Sequence, residues 1–166
     1  MSAMPASSDT FQPDMYIDTA IVAGPAAVGD LPWPDACGAE GLFIGRTRAD
    51  EHPQLGRLLR LEYEAYDAMA LKLMEQMARD VGLQYDARAV RLVHATGAVA
   101  VGQASVVIQV ATPHRAASLD ACRYLIDRLK HELPIWKRET WERGQTYVHG
   151  SVAHHPRPGD LEQKSP

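Results

Sequence analysis

Two lysines, Lys130 and Lys137, stand on either side of Pro134 in the run KHELPIWKRE. Ammonium groups that share a partly desolvated site depress each other's pKa, which is how a lysine becomes a base or nucleophile. The proline break lets the two converge on one pocket, although it does not require them to. Ile135 and Trp136 supply an apolar wall, and Glu139 is placed to orient or neutralise one lysine. A plainer account also exists. Lys130 falls in the last turn of an expected helix, where a cation suits the dipole, and Lys137 then belongs to a solvated strand anchored by Trp136.

A second cluster is Thr112-Pro113-His114-Arg115. Thr112 suits an N-cap and Pro113 the first helical position. An arginine beside a helix N-terminus is unfavourable by roughly 0.3–1 kcal/mol. Free backbone N–H groups, a histidine and an arginine together form an anion cradle. So small a mismatch is equally met by Arg115 extending into solvent. A third cluster, Arg46-Thr47-Arg48, ends an apolar strand with two arginines on alternate positions, facing one side. They either clamp a phosphate or mark where the strand meets water. Taken singly, each cluster is better explained by structure than by function.

The remaining reactive residue types offer less. His94 lies in an apolar strand and reads as a hydrogen-bonded core histidine; Cys122 falls on an apolar helix face as inert packing. Cys37 sits in a loop with no base visible beside it. The cysteines have no metal-ligand spacing, which speaks against a zinc site or a disulfide framework. Phosphate-loop, dinucleotide and nucleophile-elbow motifs do not occur, so no cofactor is implied. A net charge of -4 argues against a surface that attracts nucleic acid as a whole. The apolar runs are too short to cross a bilayer, and the polar N-terminus lacks a secretory signal, so a cytosolic location is expected.

These residues need a scaffold, and 166 residues, 46% of them hydrophobic, suffice for one domain with a real core. Residues 1–14 and 151–166 are expected to be a disordered extension and a flexible tail, leaving 15–150 as the domain. Strands are expected over Met15–Gly24, Gly38–Arg48 and Leu58–Tyr66, the last with Leu59, Leu61 and Tyr63 facing inward. A loop with a short helix is expected over 25–35, and an exposed mobile loop over 49–56. Met69, Leu73, Met77 and Val81, flanked by Ala70, Met74 and Ala78, predict an amphipathic helix ending at Gly82. Two β-segments, Ala89–His94 and Ala104–Thr112, precede a second helix over Pro113–Leu133. Its apolar stripe is Leu119, Cys122, Leu125, Ile126, Leu129 and Leu133. IWKRETW and QTYVHG close as a strand pair. The condensed order β-β-α-β-β-α-β-β indicates an α+β domain with two main helices on a mainly antiparallel sheet.

Taken in order, GLFIGRTR, LEYEAYDAMA, the strand running into His114-Arg115, IDRLK and PIWKRE resemble the large subunit of molybdopterin synthase. The resemblance runs from about Ile17 to Val148, and its specificity lies in the combination, not in any one motif. It implies an α/β-hammerhead-type fold and a homodimeric core within a heterotetramer. A small ubiquitin-like sulfur carrier, ending in Gly-Gly with a terminal thiocarboxylate, is then the partner at each end. The implied substrate is cyclic pyranopterin monophosphate, which two sulfur transfers convert to the dithiolene of molybdopterin.

By the same resemblance, Lys130 and Lys137 match the essential lysines, Arg46, Thr47 and Arg48 the substrate loop, and His114 and Arg115 the phosphate pair. Arg138 and Glu139 fall, with Lys137, in the segment that closes the pocket. The family pocket combines residues of both dimer subunits. The chain departs from the pattern at Ala95, where many relatives carry arginine, and at Tyr147, where tryptophan is common. A pterin- or phosphate-binding homologue without turnover is the alternative, and it is disfavoured because arginines serve simple phosphate binding as well as paired lysines. A phosphodiesterase is disfavoured by the missing metal-ligand cluster.

Overall fold

The computed structural model describes residues 15–148; the expected terminal extension and tail lie outside the described residues. The elements are β1 (Tyr16–Ala23), β2 (Ala39–Arg46), β3 (Glu51–His52), β4 (Gly56–Ala65), α1 (Asp67–Tyr85), β5 (Ala89–Ala100), β6 (Ala104–Thr112), α2 (Arg115–Glu132), β7 (Ile135–Trp141) and β8 (Gly144–Val148). Among the described residues four strands therefore precede α1, two more than the condensed order gives: one is the Leu58 strand, and the loop over 49–56 folds back through β3 as a small hairpin on β4.

The strands run in the order β2-β6-β5-β4-β7-β8, with β1 beside β5 and β3 beside β4. Among the described residues all of the pairings are antiparallel except β1 with β5. β5 holds the sheet together. Its residues up to Thr96 pair with β1, whereas Gly97 to Ala100 pair with β4. The exchange of partners falls at Gly97, whose φ of 72° lies in the region that favours glycine.

Both helices pack on one face of the β1-β5-β6-β2 half. Met74, Met77 and Val81 of α1 and Leu125 and Leu129 of α2 meet Val90, Leu92, Ile108 and Val110. Every residue of β6 is buried. Its other face is covered by the segment between β1 and β2, through Ala26 against Val107 and Cys37 with Leu31 against Ala111. That segment forms no helix. Pro25, Pro32 and Pro34 lack backbone donors and fix their φ angles, so it runs as an irregular cover.

Three local expectations change. A register shift between Leu58 and Arg60 in the β4–β7 pairing turns Leu58 inward and leaves Leu59 exposed. α1 runs past the buried Gly82 to Tyr85 and ends at Asp86 in a left-handed conformation. Leu119 is 62% exposed. The buried line of α2 passes through Ser118, Ala121, Cys122, Leu125 and Leu129, which puts Leu119 on the flank shared by Ile126 and Lys130. Small residues take the first part of that line, Ser118 to Cys122, because α2 sits directly over Gly41 of β2, where an added Cβ would lie 2.5 Å from the Ser118 carbonyl oxygen.

Candidate active site

Lys130 occupies the last turn of α2. Leu133 then turns extended at the C-cap, Pro134 follows, and β7 starts at Ile135. The Pro134 carbonyl accepts the Tyr66 N–H at 3.2 Å, which seats the break against the end of β4. β7 then runs antiparallel to β4, with Lys137 opposite Tyr63. The reversal places both lysines on one cavity of about 280 Å³, together with Tyr63, His94 and Ser105. Leu129, Leu133 and Ile135 give it apolar walls. The spacing allowed this convergence; the helix-to-strand reversal produces it.

Lys137 is half-buried, and its Nζ lies 3.6 Å from Glu139 Oε1. Two residues apart on a strand, they share a face. Glu139 Oε2 also accepts the Thr146 hydroxyl at 2.9 Å. Asp50, on the loop after β2, has its carboxyl held below the ordinary range, first by the hydrogen bond from Arg48 and in smaller part by the field of Lys137. On that loop Arg48 is exposed and bonded to Asp50 at 2.6 Å, and neither residue lines the cavity.

His94 and Tyr63 meet edge to face, with ring centroids 5.2 Å apart. Burial pushes the His94 imidazole below its ordinary pKa, against the opposing hydrogen bond to the Ala95 carbonyl. That carbonyl, 2.8 Å from Nδ1, can only accept, so Nδ1 carries the proton. Nε2 of the neutral ring is then an acceptor. Burial also raises the Tyr63 phenol, against a hydrogen bond with Ser105. The expected hydrogen-bonded core histidine is thus also a wall of the cavity. Neither Tyr63 nor His94 stood out as a site residue, because only the strand pairing brings them beside Lys137.

The other expected site residues are distributed more widely. Arg46 donates from Nη1 to the Gly102 carbonyl at 3.0 Å and borders a second cavity of about 260 Å³, beside Pro25 to Val28. The register shift at the end of β2 thus sends Arg46 and Arg48 to different neighbours. Thr47 is only 3% exposed. Its N–H donates to Gln103, its carbonyl accepts from Gly102, and its hydroxyl reaches the Val99 carbonyl at 3.4 Å. It fastens the loop to the β5–β6 turn and offers no face to a substrate.

Arg138 points to the opposite face of β7 from Lys137 and pairs with Glu62 on β4. It does not line the lysine cavity. His114 and Arg115 are exposed at the start of α2. Thr112, expected as the N-cap, is instead the buried last residue of β6, its hydroxyl donating to the His114 carbonyl at 2.8 Å. His114 is the N-cap, without a side-chain capping bond. At 1.5 Å per residue, the helix separates Arg115 from Lys130 by about 22 Å. One chain does not bring them together. Cys37 and Cys122 are both free and buried, and burial raises both thiols, Cys122 to about 12.

A family model described as MoaE protein matches residues 21–132. The chain belongs to the MoaE family. Among curated relatives it is 41% identical to molybdopterin synthase catalytic subunit 2 of Aedes aegypti over 119 residues, 71% of this chain and 76% of that one. It is 39% identical to the molybdopterin synthase catalytic subunit of Bacillus subtilis over 111 residues, 67% and 69% of the two chains. With the human catalytic subunit it shares 40% over 120 residues, 72% of this chain and 63% of that. The crystal structure of molybdopterin synthase from Staphylococcus aureus aligns with a TM-score of 0.68 at 29% identity, covering 77% of this chain and 94% of that one. A complex of subunits 1 and 2 of molybdopterin-converting factor from Helicobacter pylori shares the fold, with a TM-score of 0.63 at 19% identity over 87% and 98%. The MoaE match includes Lys130 and stops short of Lys137, which the cavity itself unites with it.

Proposed function

We propose that this MoaE chain is the catalytic subunit of a cytosolic molybdopterin synthase that moves sulfur from a carrier's terminal thiocarboxylate to cyclic pyranopterin monophosphate. The observation that carries the reading is the meeting of Lys130 and Lys137 in one cavity. Two ammoniums at the mouth of a partly apolar cavity attract a thiocarboxylate, and a Gly-Gly tail is thin enough to thread there. The catalytic-subunit names of the relatives support the reaction, and the two-subunit complex from H. pylori supports a small partner.

The carrier's sulfur attacks an oxygen-bearing side-chain carbon of the pterin, forming a C–S bond and a thioester to the carrier, while the C–O bond at that carbon breaks and its oxygen leaves, protonated by a lysine, as water or as the released end of the cyclic phosphate. Water then cleaves the acyl–sulfur bond, leaving sulfur on the pterin and a carboxylate on the carrier. A second carrier repeats the transfer to complete the dithiolene and open the cyclic phosphate. Lys130 and Lys137 act as acid and base groups along this path, or one forms a transient adduct. Glu139 holds Lys137 in place. Arg48, exposed on the loop after β2, reaches the substrate from that loop. His114 and Arg115 bind phosphate from a second copy of the chain, since in one chain they lie at the far end of α2. The assembly is a homodimer with a carrier at each end.

Reconstitution tests this directly. Protein, thiocarboxylated carrier and cyclic pyranopterin monophosphate are mixed, and the dithiolene product is measured as its oxidised fluorescent derivative. Lys130→Ala and Lys137→Ala are each expected to abolish product while leaving carrier binding largely intact. Full turnover in both variants overturns the assignment. Carrier binding without turnover by the parent protein points instead to a binding homologue.

A further inference from the structure

We propose that Thr146 and Trp141 are positioning residues for Lys137, acting on it through Glu139. The proposal rests on the role given to Lys137 above. The β7–β8 pairing sets Thr146 opposite Glu139, and Trp141 ends β7 two residues beyond Glu139. Trp141 Nε1 lies 2.8 Å from Thr146 Oγ1, and Thr146 Oγ1 lies 2.9 Å from Glu139 Oε2. Glu139 Oε1 is the oxygen facing Lys137 Nζ, at 3.6 Å.

The direction of this chain is fixed by chemistry. An indole N–H only donates, so Thr146 accepts from Trp141. A carboxylate only accepts, so the one threonine proton goes to Glu139. With Oε2 occupied, the carboxylate cannot turn about its last torsion without losing that bond, and Oε1 stays toward the lysine. The start of the chain is itself anchored. Trp141 is buried with Leu58 and Leu61, and its ring meets His52 edge to face at 5.5 Å. A carboxylate 3.6 Å from an ammonium makes a loose pair, whose geometry depends on what holds the carboxylate from behind.

Several charged or titratable groups act on Lys137. Glu139 is on its own strand, and Asp50 acts from the loop after β2. Tyr63 on β4, His94 on β5 and Lys130 on α2 share its cavity. Of these, Glu139 is the carboxylate paired with Lys137, and it is the one that Thr146 holds. Releasing it lets the ammonium wander in the cavity.

The test uses the complex assembled with carrier and compares Thr146→Val, Thr146→Ser and Trp141→Phe. Thr146→Val preserves shape and removes the relay. It is expected to lower kcat by about tenfold with carrier affinity within about twofold of the parent. Thr146→Ser should restore kcat. Trp141→Phe, which removes only the first donor, should lower kcat by less at unchanged carrier affinity, and it carries the test if Thr146→Val does not fold. If Lys137→Ala is inactive while Thr146→Val and Trp141→Phe keep the parental kcat, the relay is overturned and the lysine role survives. If Lys137→Ala is active, the reading beneath the proposal has failed instead.

Discussion

His94 joins two uses of one side chain. Its Nδ1–H holds the Ala95 carbonyl, and its ring closes the cavity beside Tyr63. The imidazole lies below its ordinary pKa of 6.5 in the folded protein because burial disfavours the charged form. Well above that value the group is neutral in both states and pH has no effect through it. As pH falls through 6.5 toward the folded-state value, the unfolded chain takes up a proton that the folded one does not, and stability is lost over that window. Urea midpoints at pH 7.5 and 5.5 are therefore expected to fall more for the parent than for His94→Gln, since carboxylate contributions are common to both. Equal falls refute this linkage. That the break at Pro134 allows Lys130 and Lys137 to meet, with Glu139 beside one of them, was legible in the sequence, and the cavity unites the two lysines. His94 and Tyr63 were not, because their meeting depends on how β4 and β5 pair. Thr47 misled for a related reason. A threonine between two arginines looks like part of a phosphate clamp until its two hydrogen bonds to the β5–β6 turn and a third to Val99 of β5 are seen.

At the scale of elements, α2 carries the argument, with Lys130 near one end and Arg115 at the other. Its seat is Gly41 on β2, where a Cβ would meet the Ser118 carbonyl oxygen at 2.5 Å and Cys122 Sγ at 2.9 Å. The sulfur can shift, but the carbonyl is helix backbone, and relief requires α2 to lift from the sheet. Gly41→Ala is accordingly expected to cost about 1–3 kcal/mol, the usual range for overpacking a closed contact. Thermal unfolding should show a lower midpoint, and an unchanged one disproves the close seat. Most of the stripe of α2 was legible from its spacing; Leu119 was not. A three- and four-residue rhythm identifies a face but not its centre, and the approach of β2 moved that centre toward Ser118 and Ala121. In β4 the alternating pattern does mark a strand, yet the shift at Leu58 exchanges the inward leucine.

For the whole molecule, the α+β class with two helices on an antiparallel-rich sheet followed from element types in sequence order. The parallel pairing of β1 with β5 did not, since strand patterns carry no direction and the partners lie more than seventy residues apart. The same limit separates the candidate site into two ends. Lys130 and Lys137 share a cavity, and Arg115 lies about 22 Å away along α2. If the phosphate pair serves the cavity of a neighbouring copy, defects placed on different subunits complement each other. Arg115→Ala and Lys137→Ala, each inactive as a pure protein, are coexpressed with different tags, and the doubly tagged dimer is isolated. One of its sites combines an intact Lys137 with an intact Arg115 from across the dimer, and the other carries both defects. Product formation at about half the parental rate per dimer is expected from this symmetry. A site built within one chain gives a different result, because each site then retains one defect and the mixed dimer stays as inactive as its parents. The rate of the mixed dimer therefore decides whether the working unit of this fold is one chain or two.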